Sequence, residues 1–163
     1  MIQSVNPAPT DETDGLLMPR RIWAVISVGF ARCMSVLDVN IINIVLPTLS
    51  HDFGTSPAVT TWIINGYQLA IVVSLLSFSA LGEIIGYRKV YLSGIGLFCI
   101  TSLICALSDS FWTLTIARIF QGFSASAITS VNTAQLRYIY PKSQLGRGMG
   151  INAMVVAISA AAG

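Results

Sequence analysis

Four long apolar stretches, each about as long as a lipid bilayer is thick, dominate what this chain can fold into. They cover about residues 22–46, 59–81, 90–107 and 111–131. A fifth begins near 148 and runs to 163. A helix needs ~20 apolar residues to cross a ~30 Å hydrocarbon layer. Barrel strands would be shorter and would alternate, which these runs do not. The composition agrees: 54% of residues are hydrophobic and 10% charged, where soluble domains carry roughly 25% charge. The expected class is an all-α polytopic membrane protein. Residues 1–21 are polar and lack the basic and apolar regions of a signal peptide. They read as a disordered cytoplasmic tail, and 22–163 as a transmembrane bundle. The fifth run, 148–163, is sixteen residues, or ~24 Å of helix. It ends on "ISAAAG" without an anchor. An incomplete span, in an N-terminal piece of a longer protein, is therefore expected.

Orientation follows from lysine and arginine. Arg20 and Arg21 precede the first run, Arg88 and Lys89 follow the second, and Arg137, Lys142 and Arg147 follow the fourth. The opposite loops, "PTLSHDFGTSP" and "LSDS", have none. Seven of the nine basic residues thus share one side, which the positive-inside rule makes cytoplasmic. The net charge of +2 and the lack of a basic run argue against a nucleic-acid partner. Cys33, Cys99 and Cys105 fall in apolar runs with no metal spacing and read as packing residues.

Three charges lie inside the runs: Arg32, Asp38 and Arg118. Each costs ~2.5–3.5 kcal/mol at the centre of a membrane helix. Asp38 is nine residues before Pro47, ~13 Å from the outer surface. Arg118 is seven after Phe111, ~10 Å deep by the same rise. Opposite charges at like depth lower each other's cost when they face one another across a water-filled cavity. They form either a fixed pair that only holds helices or a protonatable site with its modulator. Arg32 lies ~15 Å in from the cytoplasmic end, too deep to reach water easily. It is a cavity-lining candidate, as are Asn40, Asn43 and Gln121. For the asparagines, interhelical hydrogen bonding is the plainer alternative.

The turn "LGEIIGYRKV" places Gly82 and Gly86 around Glu83, with Arg88 and Lys89 following. It reads either as a tight solvated turn or as a gate latch that breaks in one conformation. His51 is the single histidine and has no nucleophile or metal constellation around it. No catalytic residue, metal ligand or enzyme activity is expected.

Several motifs resemble one family. "LDVNIINIVLP" is similar to the first-span signature L-D-x-T-I-V-N-V-A-L-P of the fourteen-span drug:proton antiporter branch of the major facilitator superfamily. Leu37, Asp38, Ile41, Asn43, Leu46 and Pro47 match; Asn40 stands where Thr is usual. "TWIINGYQLA" resembles the start of the second span through Trp62, Tyr67 and Leu69. "SALGEIIGYRKV" resembles the loop signature G-x-L-A-D-R-x-G-R-R through Leu81, Gly86 and Arg88, with Glu83 in place of Asp. "IARIFQGFSASA" carries Arg118, Gln121 and Gly122 of the fourth-span signature, and "GMGINAMVVAISAAAG" is similar to the start of the fifth.

The resemblance implies part of a six-helix N-terminal bundle, a central cavity and alternating access. It implies proton or cation coupling at Asp38 and Arg118, and gating by Glu83, Gly86 and Arg88; Gly82 joins the gating candidates through its place in the turn. The implied function is proton-coupled efflux of lipophilic or cationic drugs, with protons as coupling ion and no other cofactor. The partners are a small-molecule substrate, the lipid bilayer and the missing C-terminal half. The implied location is the bacterial inner membrane, with a cytoplasmic N-terminus. The alternatives are a truncated or split fragment without transport of its own, and an exporter of a metabolite.

Overall fold

The computed structural model describes residues 18–140 and 144–162. Among them are five helices and no strand, as expected for an all-α chain. They are α1 (Met18–Asp52), α2 (Pro57–Ile85), α3 (Tyr87–Ala106), α4 (Phe111–Ile139) and α5 (Leu145–Ala162). The expected tail over 1–17, the basic Lys142 and the terminal Gly163 lie outside the described residues. Residues 18–21, assigned above to that tail, belong to α1.

All five helices differ from the apolar runs at their ends, because hydrogen bonding does not stop where hydrophobicity does. α1 continues through Pro47 to Asp52 rather than ending at 46. Its last turn is held from outside: Leu49 and Phe53 pack against the Ile42, Ile63 and Leu114 cluster. The Phe53 ring meets Phe111 edge-on at 6.4 Å. Pro47 lacks the N–H that would bond one turn back, and this packing holds the helix course beyond it. α4 runs eight residues past 131, and that extension buries Asn132, Leu136 and Ile139.

The connections are short. Ser56 caps α2, its hydroxyl accepting from the Val59 amide at 3.4 Å. Pro57 follows at the first helical position, where a missing N–H costs nothing. Gly86 alone joins α2 to α3, at φ +99° and ψ 132°. A side chain there would be strained, so glycine suits the position. Its N–H donates to the Gly82 carbonyl at 3.0 Å and closes the α2 end.

α4 is the centre of the bundle. It packs along α2 and α3, while α1 runs beside α5 and touches α2 and α4. Small residues permit the approach. A Cβ on Gly122 would lie 2.5 Å from the Tyr67 carbonyl oxygen and 2.8 Å from the Ala70 Cβ. Such close packing is how membrane helices associate, since lipid removes the hydrophobic drive between them.

Three helices are long and apolar enough to cross a membrane by length and composition: Ile22–Asp52, Pro57–Ile85 and Tyr87–Ala106. The chain is a multi-pass membrane protein on this basis. Sequence reading also expected spans over 111–131 and 148–163. α4 has the length, but it carries Arg118, Gln121, Ser124, Ser126 and Asn132 buried. It turns Trp112, Ile116 and Phe120 outward. α5 is apolar but shorter.

Candidate functional site

Asp38 sits midway along α1, and two residues of α4 meet it. Arg118 Nη1 donates to Asp38 Oδ2 at 2.6 Å. Gln121 Nε2 donates to Asp38 Oδ1 at 3.2 Å. Arg118 and Gln121 are three apart on α4, so one helix face presents both donors. Each carboxylate oxygen therefore has its own donor from α4. The two charges, expected at like depth, are in direct contact. Arg118 is buried and Asp38 partly so. A charge-assisted bond of this length is strong, and breaking it by removing one partner strands a charge.

The network reaches a third helix. Cys105 Sγ–H on α3 donates to Gln121 Oε1 at 3.6 Å. Gln121 is fully buried. With its oxygen directed at the thiol, its amide nitrogen faces the carboxylate. Ser124 Oγ donates to the Gln121 carbonyl at 2.6 Å, within the same turn of α4. Arg118 Nε is buried without a partner, so the guanidinium keeps a donor in reserve. No sequence signal joined Cys105 to this group; an apolar surround made it look like packing alone.

The other sequence candidates are spread out. Arg32 is six residues before Asp38 on α1 and bonds Thr129 of α4, Nη1 to Oγ1, at 2.8 Å. Thr129 had no sequence signature. Asn40 Nδ2 donates to the Ala160 carbonyl of α5 at 3.4 Å, an interhelical bond. Asn43 is exposed on α1.

The turn residues lie at the far end of α2. Gly82 is buried, and a Cβ there would meet the Tyr87 ring at 2.8 Å and Val131 at 3.1 Å. Glu83, Gly86 and Arg88 are exposed. Among the described residues Glu83 makes no ion pair; the pairs present are Asp38–Arg118 and the exposed His51–Asp52 contact. No group of three potential metal ligands occurs among the described residues.

A family model described as Major Facilitator Superfamily matches residues 28–163. The chain is 51% identical over 155 residues to the uncharacterized transporter YebQ of Escherichia coli, covering 95% of this chain and 34% of that protein. It is 31% identical to the drug efflux pump JefA of Mycobacterium tuberculosis, covering 90% of this chain and 29% of the pump. It is 33% identical to the riboflavin transporter RibZ of Clostridioides difficile, covering 77% of this chain and 27% of that transporter. The chain thus spans about a third of the length of the curated relatives it matches.

Proposed function

The chain belongs to the Major Facilitator Superfamily, and on that premise we propose that it forms the N-terminal bundle of a proton-coupled exporter of lipophilic or cationic small molecules. The observation that carries this reading is the Asp38 carboxylate, inside an apolar helix and gripped on both oxygens by Arg118 and Gln121. Ionisable groups within a bilayer are costly and mark ion or substrate paths.

In this reading Asp38 exchanges its bond to Arg118 for a proton taken from outside. Protonation removes the charge that Arg118 pairs with, loosens α1 from α4 and lets the bundle rock. On the inner side the proton leaves and the pair re-forms. Each pH unit supplies ~1.4 kcal/mol per proton, and each ~100 mV adds ~2.3 kcal/mol per charge moved. Gly82, Glu83, Gly86 and Arg88 act as the gating turn. The basic loops face the cytoplasm of a bacterial inner membrane, α4 and α5 cross it with the others, and the second bundle completes the cavity. The drug efflux pump among the relatives supports export of drugs.

The test is substrate-driven proton release in everted vesicles carrying the full-length protein. Asp38→Asn should abolish it while the protein still inserts. Release at the wild-type rate in that variant would show that Asp38 is not the carrier. The riboflavin transporter among the relatives supports a second reading, export of a metabolite. Competition by riboflavin against dye efflux separates the two.

A further inference from the structure

Two arginines enter this bundle, and their charges are met differently. Arg118 has the Asp38 carboxylate at 2.6 Å. Arg32 has the neutral Thr129 hydroxyl at 2.8 Å. No carboxylate pairs with Arg32 among the described residues. Its Nε is buried and has no partner. With Nη1 taken by Thr129, the Nε–Nη2 edge remains for a second partner. That edge is the planar fork which matches a carboxylate in a bidentate way.

The surroundings of Thr129 are polar as well. One turn further along α4, Asn132 is 7% exposed. Its Nδ2 donates to Asn152 Oδ1 of α5 at 3.5 Å. Its own Oδ1 is buried without a partner. Two unsatisfied polar atoms therefore lie in one polar stretch between α1, α4 and α5. Buried polar groups are normally satisfied, and an intramembrane guanidinium without a counter-charge is costly.

Resting on the exporter reading above, we propose that Arg32 binds an acidic group on the transported molecule. The substrate class is then an amphiphile that carries a carboxylate, with or without a cationic centre. A lipid headgroup does not suit the position. Arg32 is ten residues beyond Ile22, ~15 Å along the helix, below headgroup depth. The pairing also divides labour along α1. Asp38, six residues away, keeps its own cation in Arg118, so Arg32 is left for the cargo.

Rhodamine 110 and its methyl ester, rhodamine 123, differ only in a carboxylate and make the test pair. The full-length protein is reconstituted in proteoliposomes with an imposed pH gradient, and initial uptake of each dye is measured. The wild type should prefer the acid. Arg32→Gln should lower the acid-to-ester ratio about tenfold, the scale of a lost charge-assisted bond. Arg32→Lys, which keeps the charge without the fork, should fall between. Thr129→Val should retain the wild-type ratio, because it removes the tie and leaves the guanidinium. Equal losses of both dyes in Arg32→Gln would assign Arg32 to holding α1 on α4, or to a carboxylate elsewhere in the protein. A wild type indifferent to the carboxylate would overturn the proposal. Gradient-driven ester uptake that persists in Arg32→Gln keeps the exporter reading standing whichever way the ratio falls. Failure of the wild type to move either dye under the gradient would sink both readings.

Discussion

The α2–α4 contact and the α1–α5 pair are built on different principles. Between α2 and α4 small or polar buried residues, among them Ala70, Ser124, Ala125 and Ser126, sit beside the larger Ile63, Tyr67 and Leu114, with Gly122 at the closest point. Ser126 Oγ donates across to the Ile71 carbonyl at 3.2 Å. α1 buries Val28, Ser35 and Ile42 and exposes Trp23, Phe30 and Ile44. α5 exposes Met154 and Ile158, and its Gly29 neighbour would gain only a 3.9 Å contact from a Cβ. One region is locked by backbone proximity; across the other, Asn40 Nδ2 donates to the Ala160 carbonyl at 3.4 Å. The Asp38 site joins the two, with its acid on the loosely packed helix and its donors on the tightly packed one. In the proton-coupled reading proposed above, the bond lost on protonation is one between α1 and α4 and leaves the α2–α4 contact untouched.

Five variants break or sharpen this contrast, and the unfolding midpoint of the reconstituted full-length protein reads each. Arg118→Ala should cost the most, about 3–5 kcal/mol, since it leaves Asp38 charged and unpaired. The double variant Asp38→Asn with Arg118→Gln should cost less than Arg118→Ala; an equal or greater cost would mean that the pair is not the tie between the regions. Gly122→Val should follow at about 1–3 kcal/mol through overpacking, because its Cβ would fall 2.5 Å from a backbone oxygen that cannot swing away. Gly94→Ala should cost about 1 kcal/mol or less: its Cβ would meet Ala127 at 3.1 Å and the Ile128 amide nitrogen at 3.3 Å, a small misfit in the α3–α4 contact. Gly96→Ala, two residues along on the outer side of α3 with nothing within 4 Å, should be neutral or stabilising by less than about 1 kcal/mol through helix propensity. If Gly94→Ala and Gly96→Ala behave alike, close approach to α4 is not what holds α3.

Much of the architecture was legible before any coordinates. The apolar run lengths marked the helices, and counting the helical rise brought Asp38 and Arg118 to similar depth. Helix ends were less legible. Leu136 and Ile139 extend α4 because a cluster drawn from several helices, Val28, Val90 and Tyr91 among its members, is there to bury them, and Leu49 and Phe53 carry the chain past Pro47 because Phe111 is there to meet them. The partners of Gln121 and Arg32 were not legible at all. Cys105 and Thr129 carry no motif, and Thr129 is 97 positions from its arginine.

Periodicity and hydrophobicity act along the chain, so the primary structure alone decided that the chain forms long apolar helices and that three charges lie within them. Which donor reaches which acceptor depends on the rotation and crossing of helices, set by side chains on other segments. Only the packed bundle decided that Asp38 has two donors from one face of α4 while Arg32 meets a neutral hydroxyl. A hydrogen bond forms or fails within about 0.5 Å, a tolerance that no count of residues along a helix can reach.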